Sequence, residues 1–397
     1  MNRYVRLAPY WFLNFTIGFG WFTLAPLVPA LGARYNVGSS AILLLISLYG
    51  YTMVAFALLS GYLSARYSVR ITLIVSGALS AAGLIARGFS SGYDFLFVAQ
   101  TVAAIAYPLA LGPVGAIAQS VDSRRSHTIV GISVGILFLG MSMGAFLTPY
   151  LYSALGQSIT STFLLDGLLA LVALITLLTV VRDYPVEYAG RSLKGTFRPG
   201  MIKNWYVGLV ISSLSVMFGG IAADDLISHG VKLTVALTSS GYLTGLAFLG
   251  SALGAIILPP LFERIGNMRF GMVFSSVLTL VSIIALTYYL GYTSDLPVLA
   301  ISYFSFGFFG NAFWSMAMTS TTRYVEDPAR SGFSTSMYSV ATNLGVALIP
   351  VFYGPFFLGH SFLGVIITSL LVAVGFILSF TLVVGSPNSP GTGSPSS

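Results

Sequence analysis

The chain reads as an all-α polytopic membrane protein: twelve transmembrane helices in two similar six-helix halves. Three observations predict this. Only 7% of the residues are charged and 56% are hydrophobic, against about 25% charged in a soluble domain, and the mean hydropathy is +0.89. The apolar runs are about 20 residues long and do not alternate with polar residues, which selects helices over barrel strands. One long polar interruption, at 182–203, separates two nearly equal apolar lengths.

Taken in order, the expected spans are 7–32, 40–63, 70–89, 95–121, 128–155 and 161–182 in the first half. In the second they are 204–224, 238–260, 269–290, 297–322, 332–357 and 361–384. Arg3 and Arg6 precede the first apolar run, which is too long for a signal peptide and lacks a clear cleavage site, so it is read as a span. The domains are therefore a first bundle over 1–182, a cytoplasmic central loop over 183–203 and a second bundle over 204–384. A Gly/Pro/Ser-rich tail over 385–397 is expected to be disordered.

Orientation follows from the basic residues. Of the 18 Lys and Arg, only Arg34, Arg87 and Lys232 fall opposite the side of the two termini, and the other 15 share that side. The positive-inside bias puts both termini in the cytoplasm, in the plasma membrane of the cell. It also accounts for the net charge of +7 without a nucleic-acid partner. With no cysteine and three scattered histidines, no disulfide, thiolate chemistry, metal site or cofactor is expected. No phosphate loop or hydrolytic constellation is present, so the chain is not read as an enzyme.

The halves repeat. Gly61, Arg66 and Arg70 follow the second span, and Glu263, Arg264 and Gly266 follow the eighth at an offset of 198, with Arg269 one place beyond the counterpart of Arg70. Arg125-Ser126 is echoed by Arg330-Ser331, and Pro149, Tyr152 and Gly156 by Pro350, Tyr353 and Gly359. Parallel six-span repeats place a substrate site at their interface near the bilayer midplane.

The loop repeat resembles the G-x-x-x-[D/E]-R-x-G-[R/K]-x-[R/K] signature of the major facilitator superfamily, and the resemblance covers the chain apart from its tail. Its second copy keeps the acid, Glu263, with Arg264 and Gly266. The first has Ala65 in the acid's place. The resemblance implies an alternating-access transporter whose loop residues Gly61, Arg66, Arg70, Glu263, Arg264 and Gly266 gate the cytoplasmic side. The family's proton-coupling arginine in the fourth span is replaced by Gln100, followed by Ala103 and Ala104. Gly140, Gly144 and Pro149 are too far apart for its antiporter signature. Residues 100–108, Ser123 to Arg125 and Trp21 are also similar to the haem/choline-transporter group first known as feline leukaemia virus receptors. That likeness implies that Trp21, Gln100 and Asn343 surround a cationic choline.

Polar groups at membrane depth are functional hypotheses in their own right. Trp11, Asn14, Gly18 and Trp21 share one helical face, as do Gln100 and Tyr107, and then Tyr303, Gly307 and Trp314 with Asn311 at the margin. Pro108 and Pro113 bend the fourth span beyond Tyr107. The expected substrate contacts are Trp21, Gln100, Tyr107, Tyr303, Asn311, Trp314, Asn14 and Asn343. Interfacial packing competes for Trp11, and interhelical hydrogen bonding for Asn14 and Asn343. Asp166, Asp224 and Asp225 are the possible coupling residues. The competing readings are an interfacial or hydroxyl-bonded Asp166 and a solvated Asp224–Asp225 pair at a helix end. Arg87 and Asp94 are read as bracketing the outer loop after the third span. Gly131, Gly135, Gly140, Gly144, Gly345 and Gly354 are assigned to sliding contacts between the halves.

With no Lys or Arg placed near mid-span, the expected solute is a small neutral or cationic organic molecule with an apolar portion. The chain is expected to act as a monomer in the bilayer, as a secondary active or facilitative transporter. A proton-coupled symporter or antiporter, or a drug or metabolite exporter, is the alternative. A non-transporting receptor is less favoured because it would want a further soluble domain, and a channel would want a continuous polar lining.

Overall fold

The computed structural model describes residues 3–122, 126–181, 184, 198–293, 295–324 and 331–384. Most of the central loop, including Arg182, Arg191 and Lys194, lies outside them, as do Arg124, Arg125, Arg330 and the tail. Twelve helices of the described residues are long and apolar enough to cross a membrane. The first half holds span 1 (Val5–Tyr35), span 2 (Ser39–Ala57, helical on to Arg66), span 3 (Val69–Gly88), span 4 (Tyr93–Leu111), span 5 (Ile129–Ala154) and span 6 (Ile159–Val180). The second holds span 7 (Met201–Ser228), span 8 (Leu233–Ile265), span 9 (Met268–Tyr292), span 10 (Leu296–Thr321), span 11 (Met337–Gly359) and span 12 (Ser361–Ser379).

Burial separates the roles of the spans. Of the most apolar stretch of each, 83% is buried in spans 1 and 7, but only 33% in span 6 and 22% in span 12. The first span of each half is therefore central, and the last gives most of its surface to lipid.

Two spans are interrupted, each where a proline removes a helix donor. The helix Ala8–Phe22 of span 1 gives way to a 3-10 turn at Ala25–Leu27 and resumes over Val28–Tyr35, with Pro26 and Pro29 at the joints. Continuous apolarity hid this break from the sequence reading. Span 4 stops at Leu111, and a separate helix, Val114–Asp122, starts beyond Pro113.

The halves meet along two seams. Span 5 packs on span 8, where Ser142 donates to the Gly245 carbonyl at 2.8 Å. A Cβ added at Gly241 would lie 2.6 Å from the Ala145 carbonyl oxygen and 2.7 Å from Pro149 Cγ. Span 2 packs on span 11, where a Cβ at Gly50 would lie 2.8 Å from the Asn343 carbonyl oxygen. These glycines permit backbone-to-backbone contact between the halves. The glycine assignment is corrected in part. Gly140 and Gly144 press on the carbonyls of Phe15 and Phe19 in span 1, inside the first half, and Gly345 presses on Leu209 inside the second. A Cβ added at Gly131 would meet nothing within 4 Å, whereas one at Gly135 would meet Ile256 and one at Gly354 would meet Leu43, both of the opposite half.

The repeated loop has different chemistry in its two copies. Gly266 ends span 8 in the left-handed region, φ 74°, a backbone state that favours glycine. At the matching position Ser68 is extended, and its hydroxyl accepts from the Ile71 amide at 3.1 Å, capping span 3. Gly61 lies within the helical extension of span 2. Arg66, Arg70, Glu263 and Arg264 are exposed, and no ion pair involves Glu263 among the described residues.

Candidate functional site

Aromatic rings from both halves converge where the seams meet. In the first half Trp21 lies flat on Tyr49 of span 2, with ring centres 4.4 Å and planes 5° apart, and Tyr107 of span 4 stands 5.2 Å away. Phe22 meets Phe248 of span 8 edge-on at 4.3 Å. Phe138 of span 5 contacts both Phe248 at 6.2 Å and Trp314 of span 10 at 6.4 Å. Tyr338 of span 11 completes the second-half wall, 5.5 Å from Trp314. Offset and edge-on pairs of this kind contribute about 0.5–1.5 kcal/mol each beyond burial, so the walls are preformed.

Hydrogen bonding sorts the expected contact residues. The Trp21 indole donates to the Ile46 carbonyl at 2.8 Å, which leaves only its ring face without a polar commitment. Gln100 is fully buried and committed: its oxygen accepts from Arg87 at 3.0 Å and its amide donates to the Leu45 carbonyl at 3.3 Å. Tyr303 donates to the Phe218 carbonyl at 3.0 Å, and Asn311 donates to the Ser251 hydroxyl at 2.7 Å. Asn343 donates to the Ser339 carbonyl at 2.9 Å, and its side chain faces the Tyr107 hydroxyl across the seam. The Trp314 indole N–H and both amide atoms of Asn14 are buried without a partner. A buried donor left unpaired costs about 1–3 kcal/mol, so these groups keep hydrogen-bonding capacity that Trp21 and Gln100 have spent.

The charged residues depart from the sequence reading. Arg87 is not a loop residue. It lies in the last turn of span 3, is fully buried, and forms an ion pair with Asp166 of span 6. Asp166 is accordingly neither interfacial nor hydroxyl-bonded alone; it is the counter-charge of a buried guanidinium that also stands 4.2 Å over the Phe163 ring. Asp94, by contrast, is exposed. Span 7 runs on to Ser228, which buries Asp225 to 1% exposure and corrects the reading of a solvated pair. The His229 ring lies 3.5 Å from the Asp225 carboxylate and 3.2 Å from the Gly291 carbonyl. One Asp224 oxygen is buried without a partner. No group of three or more His, Cys, Asp or Glu that could hold a metal occurs among the described residues.

Tyr49, Phe138, Phe248 and Tyr338 were missed as wall residues because single aromatics in apolar helices carry no spacing signal. The Arg87–Asp166 pair had a usable one. Asp166 is the sole charged residue inside its apolar span, and Arg87 is the sole one at its end of span 3, with Arg70 at the other; charged residues at membrane depth pair with one another.

The Major Facilitator Superfamily profile matches residues 10–223 and again 204–396, one match per half. This chain belongs to that superfamily. It is a transporter and not an enzyme. Among solved structures it is similar to the nucleoside transporter NupG in a point-mutant form, at 15% identity and TM-score 0.73, covering 96% of this chain and 98% of that one. It is also similar to a bacterial homolog of the human lysosomal transporter Spinster in an inward-facing and occupied conformation. That match has 13% identity and TM-score 0.72, covering 95% and 96%. At these identities the likeness concerns the fold. No curated protein matches the chain.

Proposed function

We propose that this superfamily member carries a small neutral or cationic organic solute between its halves by alternating access, and that the conformation described here is shut on its outer side. The observation that carries the solute class is the aromatic enclosure built by Trp21, Tyr49, Tyr107, Phe138 and Trp314 without an uncompensated cation. The guanidinium buried beside it is matched by Asp166. An anion would be desolvated there with nothing to offset the cost. A cation gains about 0.5–2 kcal/mol from each ring face it meets. The Trp314 indole asks for an acceptor on the solute. The likeness to the haem/choline group in spans 1 and 4 agrees with a cation, with Gln100 now acting behind the ring face of Trp21. The packed seam at Gly241 and Gly245, with Glu263 unpaired, supports outer closure. That seam is the outer one with both termini cytoplasmic, as the basic-residue bias implies, and the Glu263–Arg264 lock belongs to the opposite state.

The test is thermal-shift binding of choline, neutral polyols and small carboxylates to the wild type, Trp21→Ala and Trp314→Ala. The cation or a polyol should stabilise the wild type, and each truncation should weaken it about 3- to 30-fold, the range one ring face supplies. Carboxylates binding best, with both variants unaffected, would sink the proposal.

A proton-coupled reading has one observation in its favour, the buried Asp225 beside His229. Proteoliposome uptake of the stabilising solute under an imposed pH gradient separates the two. Facilitated transport equilibrates the solute regardless of the gradient. Coupled transport accumulates it, and Asp225→Asn abolishes the accumulation.

A further inference from the structure

The Arg87 guanidinium ties together more of the first half than any ring does. One nitrogen donates to the Gly20 carbonyl at 2.9 Å and to Gln100 at 3.0 Å, and the other to Asp166. Through the Gln100 amide the network reaches Leu45. Spans 1, 3, 4 and 6 therefore meet at one side chain, and span 2 joins them through Gln100.

Its position on span 1 is specific. The helix Ala8–Phe22 ends there, and the last carbonyls of a helix have no partner within it. The Phe19 carbonyl is capped by the Thr23 amide at 3.0 Å. The Gly20 carbonyl is capped by Arg87. In the membrane interior an unsatisfied carbonyl costs several kcal/mol, and a cation is favoured at the negative end of a helix dipole. Asp166 then neutralises that cation, and Gln100 accepts from the same nitrogen that caps Gly20, while the Arg87 Nε is buried without a partner. The next residue along span 1 is Trp21, whose indole N–H is tied to Ile46 and whose ring is stacked on Tyr49.

We propose that Arg87 is a positioning residue: by capping the broken end of span 1, with Asp166 as counter-charge and Gln100 as acceptor, it holds Trp21 in the stack that faces the solute. Gln100 thus acts on the solute through Trp21 and not by contact. The consequence for affinity rests on the function proposed above, but the effect on Trp21 does not.

The experiment reads Trp21 directly. The chain has four tryptophans, so Trp11→Phe, Trp205→Phe and Trp314→Phe together leave Trp21 as the only indole. In that background Arg87→Lys keeps the charge, but a lysine has no planar fork to reach three acceptors in fixed directions. Trp21 should become severalfold more accessible to acrylamide and its anisotropy should fall, while the protein stays monodisperse. Gln100→Leu should move both readings the same way by less. The double variant Asp166→Asn with Gln100→Glu relocates the counter-charge along the same guanidinium and should return the quenching close to the parent value. This variant also serves as the judge should Arg87→Lys not fold. A folded Arg87→Lys, or a relocated pair, with Trp21 quenching independent of the change made to the network overturns the proposal. With all four tryptophans in place, Arg87→Lys should weaken choline about tenfold, within the range that one ring face supplies, with the maximal transport rate little changed. If choline binds neither form, the reading of the solute is at fault, and the quenching result alone judges Arg87.

Discussion

Gly241→Leu should stop turnover and leave the protein open on its outer face. A side chain at 241 meets backbone: its Cβ alone would stand 2.6 Å from the Ala145 carbonyl oxygen and 2.7 Å from Pro149 Cγ. Neither can rotate away, because both belong to the helix of span 5. Overpacking of this kind costs about 1–3 kcal/mol, and the halves avoid it by parting. A penalty of about 3 kcal/mol shifts the balance of the two states roughly a hundredfold, and net transport should fall by a similar factor. The readout is labelling from outside by an impermeant maleimide at Leu43→Cys, a residue fully buried against Gly354 in the closed seam. The chain has no native cysteine, so the label reports that site alone. Labelling should be slow in the parent and fast with Gly241→Leu. Labelling at the parent rate with normal transport would show that this seam does not close the outer side. Glu263→Gln, by weakening cytoplasmic closure, should partly reverse the shift.

Asp166→Leu should be among the most destabilising single changes in the first half. It leaves the Arg87 guanidinium buried, charged and without its counter-ion, a situation that costs about 3–5 kcal/mol. The double variant Arg87→Met with Asp166→Leu removes both charges and should recover most of that loss, because a well-packed apolar pair often equals a buried ion pair in stability. Thermal unfolding in detergent of both singles and the double forms a closed cycle. Additive losses would mean that the pair is not coupled, and the account of Arg87 as an internal residue would fail with it. The recovered double should still show a loosened Trp21, because methionine offers Gly20 no donor.

How much of this was legible beforehand depends on whether the signal was an average or a geometry. Twelve spans were readable because every residue votes in a hydropathy run, and their ends were mostly placed within several residues. The break in span 1 was missed because two prolines in an apolar run leave hydropathy unchanged while removing two donors. Arg87 was misread for a related reason. A basic residue near a span end usually anchors topology, and only Asp166, Gln100 and Gly20 arriving from three other helices make it an interior group. Trp21, Tyr107 and Trp314 were picked from helical spacing. Whether an indole N–H is free or already bonded, the distinction that separates Trp314 from Trp21, depends on neighbours in other spans that periodicity does not see.

Charge that moves with one half of a rocking protein does work against the membrane potential, about 2.3 kcal/mol per elementary charge for each 100 mV crossed. The Arg87–Asp166 pair travels as a dipole of zero net charge, so the first half swings through the field without an electrical penalty. Asp224 and Asp225, on the other half, sit in the last turns of span 7, near a membrane face, where little of the field remains to be crossed. Neither half therefore brings a large gating charge of its own to the cycle. A cationic solute would be the dominant mobile charge, and the voltage across its membrane would set how far it is concentrated.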